Sequence, residues 1–344
     1  MTQLPSDPMR FDSYMEWCLY DADIGFFAST RTDVRSSKSG DFLTSPEVSS
    51  EFGRALGRFV AAEHSRVGNE AEFTVIDVGA GSGSLLRSLG DVWAGQAVGI
   101  ELSPAARETL AVDGLGGMAS FAAFGPAVTG VVFANELLDN LPMAVVEKTD
   151  GGWVEHAVTT SGGALTMVRL EARPEVAAWA DRYASDVPVG SLVEVQLEAA
   201  AWTADVLGRL DRGALVIIDY GGTSEELSGR RSRGGTIRTY RSHHLGPDPL
   251  VAPGETDITA DVEFSALLDV CHEAGAEVEL VRQDDFLRQW GVEDVISSLR
   301  HQELEAARAG DTMRQLKLKS ERLDTETLLH PRGLGDFRVL VARK

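Results

Sequence analysis

Asp77 and Glu101 flank glycines at positions 79, 81 and 83, in FTVIDVGAGSG (73–83) and GIELS (99–103). Residues of these types at this spacing do binding chemistry. Glycines after a strand let backbone come close to a nucleotide-like ligand. A carboxylate about 20 residues further on accepts hydrogen bonds from ribose hydroxyls. A second set, Asn135, Glu136 and Asp139 in NELLDNLP (135–142), places one amide and two carboxylates directly after an apolar run. In an open α/β sheet that position faces the ligand crevice. One helical turn would set Glu136 and Asp139 on the same side. Carboxylates so placed suit a guanidinium, whose forked donors they pair bidentately, and they can also take a proton. Taken alone, each set is also compatible with a capped turn that binds nothing.

The elements that must position these groups are legible around them. Strands are predicted at 73–78, 97–101, 119–123 and 130–134, with helices beginning near Ser82 and at Ser103-Pro104. Ser45-Pro46-Glu47 predicts a helix start, with a hydroxyl cap, a proline in the first turn and an acid at the positive end of the dipole. Val48, Phe52, Leu56, Phe59 and Val60 would give that helix one apolar face. Ala144 to Lys148 and Trp153 to Val158 flank Asp150-Gly151-Gly152 and predict a hairpin. Helices follow at 174–185 and 196–210, then a buried strand in GALVIIDYG (213–221) ending at Asp219. A helix at 261–274, a strand at 277–282, two charged helical stretches over 284–325 and a last alternating strand, DFRVLVARK, complete the pattern.

Composition narrows the class. A chain of 344 residues, 43% hydrophobic and 25% charged, has material for a globular core. Its net charge of −21 argues against a nucleic-acid surface, which needs clustered Lys and Arg. The two cysteines, Cys18 and Cys271, form no metal-ligand set and no disulfide framework, which points to a reducing, cytoplasmic setting. No basic region followed by an apolar run opens the chain. The uncharged segment 114–135 is too rich in glycine and hydroxyl residues to read as a membrane span. These features describe a soluble protein without membrane insertion.

The glycine spacing separates two cofactor classes. A dinucleotide fingerprint needs glycine at position 84, which is Ser84. G-x-G-x-G after an acid at the strand end instead resembles the S-adenosyl-L-methionine loop of class I methyltransferases. More of the chain follows the same pattern. YMEWCLYDADIGFF (14–27), GDFLTSPEV (40–48), IELSP (100–104), ANELLDNLP (134–142), DYG (219–221), GTIRTYRSHH (235–244), PGETDITADVEF (253–264) and LGDFRVLV (334–341) together resemble the MidA-like family, in the family's order. That family includes a mitochondrial arginine methyltransferase. Its glycine loop more often carries glutamate and proline where this chain has Asp77 and Ala80. The glutamine that often follows its SP segment is not evident between Ala105 and Leu110, and 118–124 offers no clear adenine-binding acid.

The resemblance implies a Rossmann-like α/β fold: a seven-stranded, mostly parallel sheet with an antiparallel last strand, an N-terminal helical segment and a β-rich insertion. It divides the chain into a cofactor-covering segment (1–70), a methyltransferase core (71–142 and 191–344) and the insertion (143–190). It implies that Thr44, Ser45, Asp77, Gly79, Gly81, Gly83, Glu101 and Leu102 bind S-adenosyl-L-methionine, with no metal. Asn135, Glu136 and Asp139 would act beside the methyl group, on a protein side chain with arginine favoured. His243 and His244 are further candidates for a base or substrate contact. A non-catalytic cofactor-binding assembly factor and a dinucleotide-dependent oxidoreductase are the alternative readings. The sequence sets neither the acceptor nor the oligomeric state.

Overall fold

Seven strands form the central sheet of the computed structural model, which describes residues 7–27, 44–121, 125, 127–231, 234–241 and 244–344. We number them β1 (Thr74–Val78), β2 (Gln96–Ile100), β3 (Gly116–Met118), β4 (Val128–Asn135), β5 (Leu210–Asp219), β6 (Glu277–Arg282) and β7 (Arg338–Arg343). Their spatial order is β6-β7-β5-β4-β1-β2-β3. Strands β1 to β5 run parallel, and β7 lies antiparallel between β5 and β6. Strand order reverses between β1 and β4, and the crevice beyond their carboxyl ends is where such sheets bind ligands.

Every residue of β1 is buried, because helices cover both faces of the sheet and parallel strands then read as continuous apolar runs. Phe52, Leu56 and Phe59 of the helix Glu51–Arg66 pack on one face with Val75 and Phe133. On the other, Val206 and Leu207 of Leu197–Arg209 and Phe264 and Leu267 of Phe264–Glu273 pack with Ile76 and Ile217.

A second sheet is antiparallel. Ala144–Thr149 pairs with Gly152–Ser161 across the predicted turn, with Lys148 opposite Trp153, and pairs on its other side with Leu192–Val195. Ala164–Glu171 and Met9–Arg10 complete it through Gly152–Ser161. Phe11, Tyr14 and Met15 of the helix Phe11–Tyr20 pack against its Val145 and Val158. A short strand, Asp257–Thr259, pairs with Arg238–Arg241. Both cysteines are free and buried. No helix among the described residues is long and apolar enough to cross a membrane.

Three predicted elements take other forms. The helix starting at Ser45 is two helices, Ser45–Val48 and Glu51–Arg66. Thr44, not Ser45, is the cap, and its amide donates to Glu47 Oε2 at 3.2 Å in a capping box. Ser49 is extended, and its hydroxyl pairs with Thr325 Oγ1 at 3.1 Å and accepts the Glu51 amide, so the helix stops and restarts. The strand expected at 119–123 lies earlier, at Gly116–Met118. The Gly99 and Glu101 amides donate to Leu115 and Met118 carbonyls, which fixes that register. Phe121, beyond that strand, is buried in the core. The charged stretch is three helices, Gln283–Gln289, Val292–Arg308 and Thr312–Leu328, interrupted first at the left-handed Gly291.

Candidate active site

The turns after β1, β2 and β4 open onto one cavity of about 840 Å³. After β1 the chain passes through Gly79, Gly81 and Gly83, all with positive φ (75°, 51° and 82°). This is the left-handed region that side chains disfavour; Gly79 and Gly81 line the cavity, whereas Gly83 does not, its amide donating to the Ala80 carbonyl at 2.8 Å to close the turn. The Gly79 and Ala80 amides donate to the Ile100 carbonyl, which ties the loop to the end of β2. Gly83 caps the helix Ser84–Leu89, and a Cβ there would come within 2.8 Å of Leu110.

Glu101 is held from two directions. Its Oε2 accepts the Gly81 amide at 2.9 Å and its Oε1 accepts the Ser103 amide at 3.0 Å. Each carboxylate oxygen keeps a second lone pair for a hydroxyl. Leu102, beside it, is half exposed and lines the cavity. Asp77, at the end of β1, also lines the cavity and is 3% exposed. Burial, reinforced by the charge of Glu101, pushes its carboxyl up to about 8. A buried acid poised in this way would be drawn into its charged form by a cationic ligand.

Thr44 and Pro46 reach the cavity from the N-terminal side. Ser45 does not line it: its hydroxyl accepts from Gln283 Nε2 at 3.2 Å, and its amide donates to Glu136 Oε1 at 3.3 Å. Ser45 therefore holds Glu136 from outside the cavity wall. Residues 40–43 of the same motif, and His243, lie outside the described residues. His244 sits exposed on a two-residue strand and is not part of the cavity wall.

Asn135 and Glu136 line the cavity at the end of β4. Glu136 has φ 52°, a left-handed conformation costing about 1–2 kcal/mol for a side-chain-bearing residue. Its amide donates to the Ile218 carbonyl at 2.8 Å, which holds the turn. Asn135 Nδ2 donates to Glu136 Oε1 at 3.3 Å. Burial, then the neighbouring charge of Asp139, pushes the Glu136 carboxyl up to about 8, while the Ser45 and Asn135 donors oppose the rise.

Asp139 is not on the same side as Glu136. The expected helical turn is a short 3-10 turn, Leu138–Asn140, entered from the left-handed Glu136. That geometry carries Asp139 behind the cavity wall, 4% exposed. There Oδ2 accepts the Tyr220 hydroxyl at 2.5 Å and the Thr259 hydroxyl at 2.9 Å. The turn itself is pinned by Asp219, whose Oδ2 accepts the Leu138 and Asp139 amides at 3.0 and 3.3 Å.

Residue types alone missed the aromatic wall. Tyr20 and Phe27 stack at 5.9 Å beside Phe26, and these three face the cavity together with Phe121 and Trp202. The Tyr20 hydroxyl donates to the Asn140 carbonyl at 3.1 Å. For Tyr20, Phe26 and Phe27 the sequence signal is the resemblance of the 14–27 segment, since apolar spacing marks aromatics as core; Phe121 and Trp202 carry none.

The glycine cradle, the doubly anchored Glu101 and the buried acid at the strand end fit a ligand with a ribose and a positive charge. Comparisons with known proteins agree. Residues 55–281 match the family described as "Putative S-adenosyl-L-methionine-dependent methyltransferase". A solved structure from Burkholderia thailandensis, bound to S-adenosyl-homocysteine, superposes with a TM-score of 0.82 at 29% identity, covering 98% of this chain and 88% of that one. The mitochondrial protein arginine methyltransferase NDUFAF7 of Xenopus tropicalis is 28% identical over 292 residues, 74% of this chain and 66% of its own length. Its Homo sapiens counterpart is 26% identical over 323 residues, 83% of this chain and 70% of its own. The chain thus spans about two thirds of the length of these relatives.

Proposed function

The chain belongs to this family of S-adenosyl-L-methionine-dependent methyltransferases, and from that premise we propose that it methylates an arginine side chain of a protein. The observation that carries the proposal is Glu136, a half-buried carboxyl that faces the cavity from the turn after β4. Bound S-adenosyl-L-methionine supplies an electrophilic methyl group on a sulfonium. The residues that would hold it are Asp77, the backbone of Gly79 to Ser82, Glu101, Leu102 and Thr44. Asn135 keeps Glu136 oriented. Glu136 pairs with the guanidinium N–H groups, aims one nitrogen and takes the proton that nitrogen gives up.

A neutral carboxylic acid would not attract a guanidinium by charge. The arriving cation itself favours ionisation of Glu136, so pairing and activation of the base occur together. Arginine is further supported by the names of the relatives, which describe protein arginine methyltransferases. In this reading Asp139 serves from behind the wall, through Glu136, and does not touch the acceptor. A reducing compartment is supported by the two free thiols.

The test is to incubate the purified chain with methyl-labelled cofactor and protein extract, then hydrolyse the protein and separate its amino acids. Label in methylarginine is the expected result. Label in another amino acid, or none in protein, would overturn the acceptor assignment.

A further inference from the structure

Ser45 stands between two residues, Thr44 and Pro46, that reach the cavity, yet it is fully buried and does not line it. Its amide donates to Glu136 Oε1 at 3.3 Å, and Asn135 Nδ2 donates to the same oxygen at 3.3 Å. Two donors therefore hold Oε1, while Oε2 receives none among the described residues. Ser45 is fixed in turn from the β6 edge of the sheet. Gln283, directly after β6, donates from Nε2 to Ser45 Oγ at 3.2 Å. The Gln283 backbone amide donates to the Phe337 carbonyl at 2.8 Å, which seats the residue against the start of β7. Its side chain is fully buried, and its Oε1 finds no hydrogen-bond partner among the described residues. A buried acceptor left unpaired is costly, so an apolar side chain of the same length would pack here at least as well. What the amide supplies instead is the Nε2 donor to Ser45.

We propose that Gln283 is a positioning residue for Glu136: acting through Ser45, it holds Oε1 at its two donors and leaves Oε2 as the oxygen that meets the acceptor. The inference rests on the reading of Glu136 as the proton acceptor. Gln283 does not line the cavity, so it acts only through this linkage. Without the Nε2 donor, Ser45 is no longer tied to the sheet edge, and the first turn of Ser45–Val48 shifts. The Ser45 amide then leaves Oε1, and the carboxyl turns about the single Asn135 contact that remains. A base moved by about 1 Å loses much of its effect on rate.

The experiment follows the residue-45 amide by ¹H–¹⁵N NMR of ¹⁵N-labelled protein as pH is raised. An amide hydrogen-bonded to a carboxyl changes its proton shift as that carboxyl ionises. In the unmodified chain the residue-45 signal should therefore move with a midpoint at about 8. Glu47 of the same short helix and Asp139 are the other acids near Glu136, and movement that disappears in Glu136→Gln belongs to Glu136. Gln283→Met keeps the length of the side chain and removes the donor. It should lose most of this movement and slow label transfer from methyl-labelled cofactor into protein extract about 10- to 100-fold. Ser45→Ala, which keeps the amide but removes the hydroxyl, should do the same, and it carries the test if Gln283→Met does not fold. The double variant should be no slower than either single variant, because one linkage is broken. A residue-45 signal that ignores Glu136 in the unmodified chain would overturn the inference. So would full-sized movement in folded Gln283→Met or Ser45→Ala, since a packing role alone leaves the Ser45–Glu136 bond intact. Equal transfer by Glu136→Gln and the unmodified chain would instead defeat the reading of Glu136 as base, while the amide signal still reports whether Gln283 sets its position.

Discussion

The Gly81 amide donates to Glu101 Oε2 at 2.9 Å, joining the glycine turn after β1 to the end of β2. One carboxylate thereby shapes the loop and presents lone pairs to the cavity. Glu101→Ala should weaken S-adenosyl-L-methionine binding about 10- to 100-fold, the range for losing a charged hydrogen-bond acceptor. Glu101→Gln, which keeps one acceptor oxygen, should lose less. Calorimetric titration of both variants reads the difference, and equal losses would assign Glu101 to loop structure alone.

Cofactor affinity should depend on pH through Asp77. Its carboxyl sits at about 8, and a ligand carrying positive charge binds the ionised form better. Affinity should therefore weaken as pH falls below that value, by at most about tenfold per unit. Asp77→Asn should bind less tightly and lose the pH dependence. Titration at pH 6.5 and 8.5 in buffers of different ionisation enthalpy would show proton release on binding, and none would be released if Asp77 lies apart from the cofactor's charge.

Stability carries the opposite sign. Asp77 and Glu136 are raised in the folded chain to about 8, whereas unfolded carboxyls titrate at about 4. Such groups contribute stability that is complete below pH 4 and lost as pH rises through 8. Glu136→Gln should accordingly melt higher than the unmodified chain at pH 8.5, by about 2–4 °C for each kcal/mol recovered, with a smaller gain at pH 5. A gain that did not grow with pH would mean that the carboxylate is better solvated than its surroundings suggest.

The glycine turn tolerates little. Gly83 has φ 82°, and a Cβ would meet Leu110 Cδ2 at 2.8 Å. Gly83→Ala should destabilise the fold by about 1–2 kcal/mol from backbone strain alone. Chemical denaturation would measure this, and an unchanged midpoint would show that the turn relaxes into another conformation.

Local chemistry was legible where one short segment carried the signal. The apolar run ending in Asp77, the glycines after it, Glu101 and the antiparallel pair β6 and β7 follow directly from residue order. The surroundings of Asp139 were not legible. Tyr220 and Thr259 lie 81 and 120 residues away in sequence, and only the sheet order brings them together. The same holds for Ser45, whose hydroxyl turns to Gln283, 238 residues on. The Glu136–Asp139 spacing misled for a local reason: it assumed a helical turn where a left-handed residue leads into a 3-10 turn.

The most direct measurement compares turnover and cofactor binding in Glu136→Gln. The substitution keeps size and hydrogen-bonding reach, but it removes the group that ionises against a guanidinium and accepts its proton. Methyl transfer to protein should fall at least about 100-fold, the lower range for losing a general base, while calorimetric affinity for S-adenosyl-L-methionine stays close to that of the unmodified chain. Turnover unchanged with intact binding would contradict the assignment of Glu136, and with it the account of how this cavity activates its acceptor.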